Sequence, residues 1–280
     1  PYTHYMLRIL RNLRMEAVSG NGSRTYWRYA LGETLLIVVG ILLALQINNW
    51  NEERIEQNAI REFALNLSDA IKADMEMLGP VEMQIKATMR QSEELANYLR
   101  DRSVEEMSNL ELFFLTNITG YRPYGWNRAA LEQLKASGGL RQMKNTRMSR
   151  YISDYDALTQ HLDQDYQEDE ESARAIWRLV NELIDQNYPL KGLYELLEWE
   201  DGFTDEYIER RLTGFRETEV FRKLAELQRP LLSQDLAQFR QLANLNRDYA
   251  EAIRPRTEIE LPRLREFARE IQSLIDEEYR

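Results

Sequence analysis

Residues Tyr29–Trp50 read YALGETLLIVVGILLALQINNW. From Thr34 to Asn51 no residue is charged, and Leu35–Leu45 is almost purely aliphatic. A helix rises 1.5 Å per residue, so Trp27 to Trp50 covers about 34 Å, the ~30 Å hydrocarbon core of a bilayer with its edges. Tyr26, Trp27 and Tyr29 mark one end and Trp50 the other, as aromatic side chains do at membrane interfaces. A signal peptide has a short charged region, whereas residues 1–28 precede this stretch. A buried helix of a soluble protein seldom carries its Arg residues at one end only. Residues 26–50 are therefore expected to form one transmembrane helix.

Upstream, Arg8, Arg11, Arg14, Arg24 and Arg28 stand against a single acid, Glu16, for a net +4. Downstream, only Arg54 and Arg61 lie within about 20 residues of the span, the range over which basic residues set orientation. That asymmetry predicts a cytoplasmic N-terminus and a body outside the membrane, in the periplasm of a Gram-negative cell. On a helical projection Tyr2, Tyr5, Met6, Ile9, Leu10 and Leu13 share one face, and His4, Arg8, Arg11 and Arg14 the other. Residues 1–25 are thus expected to be a basic amphipathic segment, its Arg residues on anionic lipid of the cytoplasmic leaflet. An unstructured basic tail is the alternative.

The chain has 280 residues, with Lys+Arg 36 against Asp+Glu 47 and a net charge of −11. Removing the head's +4 and Glu33's −1 leaves −14 for residues 51–280, which excludes general nucleic-acid binding by that body. Hydrophobic residues make up 43% and aromatics 10%, too much for a disordered chain. Gly 12 and Pro 7 are few, which favours helices over a turn-rich β fold. Cys 0 removes disulfides, thiolate metal sites and cysteine nucleophiles together.

The span is itself patterned. With Glu33 at angle zero, Ile37, Gly40, Ala44 and Asn51 fall within about 40° of it at 100° per residue. Gly40 and Ala44 form a small-xxx-small pair that lets another helix approach closely. Glu33 in lipid costs a few kcal/mol unless it finds a partner, a proton or the interface. This face, Glu33, Ile37, Gly40 and Ala44, is read as docking another transmembrane protein, with a second copy of this chain an alternative. In the competing reading Glu33 reaches headgroups and pairs with Arg24 or Arg28.

The string Tyr29-Ala-Leu-Gly-Glu33, Gly40-Ile41, Ala44-Leu45-Gln46 and Asn49-Trp50-Asn51-Glu52 resembles the anchor of a bacterial family of small single-span membrane proteins of unknown function, with the signature Y-x-x-G-E…G-I-x-x-A-L-Q-x-N-x-W-N-E. Leu134-Lys135, Ser137-Gly138, Leu140-Arg141 and Asn145 resemble a recurrent L-K-x-S-G-x-L-R segment of the same family. The resemblance implies an all-helical outer domain and carries no known activity.

Residues 51–280 read as one all-α domain. Ile55, Ile60, Phe63, Leu67, Ile71, Met75 and Leu78 recur every three to five residues and predict an amphipathic helix continuing the span, ended by Gly79-Pro80. A second helix is expected over Val81–Asp101. Ser103-Val-Glu-Glu106 has the form of a capping box and is expected to open a third helix through Leu115. Asn127 is expected to cap a helix over Arg128–Ser137, and Gly138-Gly139 to stop it. One long helix is expected over Arg141–Gln186, short ones over Leu190–Trp199 and Asp205–Leu212, and long ones over Glu217–Ile253, with a kink or boundary at Pro230, and Leu261–Tyr279.

Little in this body announces chemistry. His4 and His161 are the two histidines and are expected on opposite sides of the membrane, so a histidine-based zinc site, a Ser-His-Asp triad and bis-His haem ligation are not expected. No phosphate-loop, dinucleotide or nucleophile-elbow motif occurs. The acidic run Asp163–Glu171 lacks the Gly and Glu that an EF-hand needs at its sixth and twelfth positions, and is read as a solvated helix face, a loose divalent contact being the alternative. Tyr121, Arg122, Tyr124 and Trp126, on a Gly/Pro loop, either contact a partner or plug the end of the helical body.

No enzyme, no metal and no organic cofactor is expected. The expected function is a structural or accessory subunit docked into a larger membrane complex, photosynthetic or respiratory for example. A periplasmic sensor or small-molecule-binding module is the alternative. The single span and short head weigh against it.

Overall fold

The structure is a computed structural model and describes residues 23–116, 120–189 and 214–279. Among these residues all regular structure is helical. The chain divides into two compact units, Pro1–Arg61 and Glu62–Arg280. Arg8, Arg11 and Arg14, and the helices expected over 190–199 and 205–212, lie outside the described residues.

The first helix, α1, is Ser23–Arg100. Its stretch within the first unit contains an apolar window long enough to cross a membrane, none of it buried inside the protein. Leu35, Leu36, Ile37, Ile41, Leu42 and Leu43 are each more than half exposed.

Within the second unit α1 changes character. Ala64, Leu67, Ile71, Asp74, Leu78, Val81, Ile85, Thr88, Ser92, Leu95 and Leu99 are all buried, at alternating steps of three and four residues. That stripe corrects the expected break at Gly79-Pro80. Pro80 removes one backbone hydrogen bond, but it is solvent-exposed and off the stripe, so the carbonyl it leaves unpaired can turn to water while the apolar face keeps its phase.

After α1, Ser103 and Glu106 do form a capping box, the Ser103 N–H donating to the Glu106 carboxylate at 2.9 Å. It opens only a 3-10 turn, Val104–Glu106. The helix that follows, α2 (Asn109–Leu115), starts from Ser108, whose Oγ accepts from the Glu111 N–H. Next come α3 (Ala129–Ala136), α4 (Gly139–Gln142) and α5 (Thr146–Leu183). Asn127 is not the cap of α3: Arg128 takes the capping position without a side-chain cap, and the Asn127 N–H donates to Asp74 of α1 at 2.7 Å. Asn145 caps α5 by accepting from the Met148 N–H at 3.0 Å.

The segment that resembles L-K-x-S-G-x-L-R is the turn between α3 and α5. Gly138 sits at φ 74°, a left-handed conformation that favours glycine. Ser137 Oγ donates to the Leu134 carbonyl at 3.0 Å, and Lys135 reaches Asp156 of α5 at 3.0 Å.

A 3-10 turn, Gly214–Glu217, precedes α6 (Glu219–Ala225) and α7 (Leu236–Pro255). The long helix expected over Glu217–Ile253 is therefore two, with Pro230 in the connection and Asp235 capping α7 through the Ala237 N–H. Pro255 has no N–H to continue the α-helical ladder, and a π-helical turn, Arg256–Glu260, follows before α8 (Leu261–Tyr279). α7 and α8 both pack on α5. Tyr155 of α5 donates to Asp74 of α1, while Arg254 and Arg265 reach Glu93 and Glu82 of α1.

Candidate functional site

Residues 120–128 of the connector between α2 and α3 form no helix, so their backbone polar groups need side-chain partners. α1 supplies them. Thr88 Oγ1 donates to the Gly120 carbonyl at 3.0 Å, the Arg122 N–H donates to Gln84 Oε1 at 3.0 Å, and Asp74 takes the Asn127 N–H. Gln91 Nε2 donates to the Leu115 carbonyl. Polar residues thus stand on or beside the buried stripe of α1 because they hold an irregular segment.

That segment carries the aromatic loop. Tyr121 and Tyr124 are buried, Trp126 is half-buried and Arg122 is exposed. Tyr124 and Trp126 stack with ring centroids 5.0 Å apart. Trp126 Nε1 donates to Asp163 of α5 at 2.9 Å, and Arg128 also contacts Asp163. The Tyr121 hydroxyl donates to Asp169 at 2.6 Å. Of the two readings of this loop, packing into the body describes its three aromatic side chains.

Behind the loop lies a cluster that the sequence reading missed. Asp165 and Asp169 of α5 are buried, not part of a solvated face. Arg256, the first residue of the π-turn, is buried against them. Its Nε and Nη2 donate to Asp169 at 3.2 and 3.4 Å, and its Nη1 donates to Glu260 at 3.1 and 3.3 Å. Nη1 also lies 3.1 Å from Asp165 Oδ2. His161, one turn before Asp165, brings Nε2 to 3.3 Å from Asp165 Oδ2 and 3.8 Å from Glu260 Oε1.

The electrostatics follow from burial. Burial pushes the Asp165 and Glu260 carboxyls above the usual carboxylate range, with Arg256 opposing. Burial also lifts the Tyr121 phenol, helped by Tyr124 and Asp169. For Arg256 burial acts downward, but the carboxylates of Asp169, Glu260 and Asp165 outweigh it and hold the guanidinium firmly charged. Near this cluster Tyr249 of α7 is 2% exposed and its hydroxyl has no hydrogen-bond partner.

The span residues stand apart from this cluster. Glu33, Ile37, Gly40 and Ala44 are all exposed, and a Cβ added at Gly40 would meet nothing within 4 Å. Trp27 and Trp50 are 70% and 64% exposed. Around Trp50 side chains pair locally: Asn48 donates to Glu52 at 2.8 Å, and Arg54 donates to Asn51 at 3.3 Å.

Residues 33–153 match a family of unknown function, DUF6090. The matched segment begins in the apolar stretch of α1 and ends early in α5. It contains the α1 side chains that hold the connector, the aromatic loop and the Gly138 turn. Asp165, Asp169, Arg256 and Glu260 lie beyond it. No curated protein and no solved structure matches the chain.

Proposed function

We propose that the chain is a non-enzymatic, membrane-anchored accessory subunit of a larger membrane complex, for example a photosynthetic or respiratory one. In this reading residues 26–50 cross the bacterial inner membrane once, the N-terminus is cytoplasmic and residues 51–280 form a periplasmic helical body. The observation that carries it is the apolar stretch of α1, which is exposed along its length among the described residues. A continuous apolar belt of this size calls for lipid or another protein. Glu33 and the open Gly40/Ala44 face favour a protein on one side, because a carboxylate is costly in lipid and small residues permit close helix contact.

The test is co-purification in mild detergent and migration on a native gel. Gly40→Leu is expected to insert normally, since Leu suits hydrocarbon, and to lose partners. Glu33→Gln tests the carboxylate separately. A Gly40→Leu protein that inserts and keeps its full complement of partners would reduce the span to an anchor. A reporter fused after Arg280 should be active only in a form that works outside the inner membrane; cytoplasmic activity would overturn the topology. The second reading, a ligand-binding body, is favoured by the buried polar cluster behind the aromatic loop.

A further inference from the structure

We propose that His161, Asp165 and Glu260 form a binding site for one divalent transition-metal ion, with Zn2+ the best match to the donor set. This goes beyond the anchoring role and does not depend on it. His161 Nε2, Asp165 Oδ2 and Glu260 Oε1 all lie within 4.8 Å of one another, and His161 Nε2 is 3.3 Å and 3.8 Å from the two carboxylate oxygens. Zinc with bonds near 2.1 Å holds tetrahedral ligand atoms about 3.4 Å apart. Closing the triangle therefore takes a small side-chain adjustment at Asp165 and Glu260. The His161 side chain is 56% exposed, which gives the ion a way in and leaves a further position for water.

An independent observation comes from Asp165. Its side chain is 10% exposed, and Oδ2 is sealed from solvent yet accepts no hydrogen bond. Arg256 stands 3.1 Å away, but its N–H groups are directed to Asp169 and Glu260. Arg256 offsets the charge of Asp165 without donating a hydrogen bond to Oδ2, and a cation between Oδ2 and His161 would give that oxygen the direct ligand it lacks. Charge gives the same sign. Asp165, Asp169 and Glu260 bring three negative charges and Arg256 one positive, so with His161 neutral a dication makes the cluster neutral.

The imidazole nitrogen selects for zinc-like ions over Mg2+ and Ca2+, which prefer oxygen shells. The expectation of no histidine-based zinc site rests on the distance between the two histidines and does not take in carboxylates that the fold brings to one of them. One imidazole with two carboxylates, the second from the π-turn, is a different donor set.

The test uses the full chain in detergent, stripped with a chelator and titrated with Zn2+ by calorimetry. The imidazole NMR signals are followed in parallel. The chain has two histidines, His4 and His161, so two sets of signals are expected. One Zn2+ should bind per chain and shift one set. His161→Gln should remove that shift and weaken binding at least about tenfold, the scale of losing a metal-site group. Glu260→Gln should weaken it in the same direction, and Mg2+ should not compete. Glu168→Gln, at an exposed carboxylate of the same helix, should change affinity less than about twofold. His161 is exposed, so its variant keeps the fold, and circular dichroism checks Glu260→Gln. No stoichiometric binding, binding that leaves the imidazole signals unmoved, or binding as sensitive to Glu168→Gln as to His161→Gln would overturn the site.

Discussion

Two stretches of α1 obey opposite rules. Between Leu31 and Ile47 the helix is apolar on nearly every face and exposed throughout. Between Ala64 and Leu99 one stripe, mostly apolar and interrupted by Asp74, Thr88 and Ser92, is buried, and the other faces are mostly polar. A stripe can be covered by neighbouring helices of the same chain, whereas a cylinder apolar all round needs a surrounding medium. The arrangement of apolar residues, more than their number, separates the part of the helix that builds a protein core from the part that needs lipid or a partner.

The comparison can be broken hardest at Arg256. Replacing it with Met leaves Asp165, Asp169 and Glu260 facing one another without a cation. Removing one partner of a buried charge cluster costs about 3–5 kcal/mol. Chemical denaturation of Arg256→Met should show that loss in the body, with membrane fractionation of the chain unchanged. A loss under about 1 kcal/mol would mean that the cluster is solvated in solution.

A paired substitution addresses α1 directly. Ile85 is 0% exposed and Ile37 58%. Ile85→Ala should destabilise the body by about 2–4 kcal/mol through lost burial and a cavity, and Ile37→Ala should leave its melting unchanged. Equal effects would dissolve the distinction between the two stretches. Gly138→Ala tests the turn between α3 and α5. A Cβ there would meet Arg141 Nη2 at 3.5 Å, an ordinary contact, so the cost is the left-handed backbone, about 1 kcal/mol in thermal unfolding.

The smallest effect concerns pH. Burial alone would raise the Glu111 carboxyl, but hydrogen bonds from Arg216 at 2.7 Å and the Tyr98 hydroxyl at 2.7 Å hold it below the ordinary range. A carboxyl depressed in the folded state stabilises above its unfolded pKa and loses that contribution as pH falls through the folded one. Glu111→Gln should therefore cost under about 1 kcal/mol at neutral pH, and the difference from the parent chain should vanish in acid. A difference that persists in acid would point to packing as its cause.

Much of this was legible in the sequence. The apolar stretch, the helical class, the Ser103 capping box and the turn after α3 follow from local residue types, which act over a few positions. The continuation of α1 through Pro80 was misread as a stop, because local propensity outweighed the phase that Leu78, Val81 and Ile85 keep across the proline. The burial of Asp165 and Asp169 left a trace too. They continue the face of Tyr155, Thr159 and Leu162 toward Ala173 and Ile176, so acids fall where core residues are due. Their partner was not legible. Arg256 and Glu260 come from a π-turn far along the chain, and no periodicity foretells which arginine meets which acid. Asp74 is similar: its role is to satisfy the Asn127 N–H and the Tyr155 hydroxyl, both distant in sequence.

The π-turn also bears on chain length. An α-helical path from α7 into α8 would use one residue fewer, since a π-turn accommodates an extra residue within a helix. Losing one residue between Arg256 and Glu260 would still leave a helix, but it would close the π-turn into an α-helical one and bring Arg256 and Glu260 from four residues apart to three. The guanidinium and its carboxylate neighbour could then no longer face Asp165 and Asp169 together. Among homologous chains, a one-residue difference in the length of this stretch would thus mark which of them retain the buried cluster and which have straightened it away.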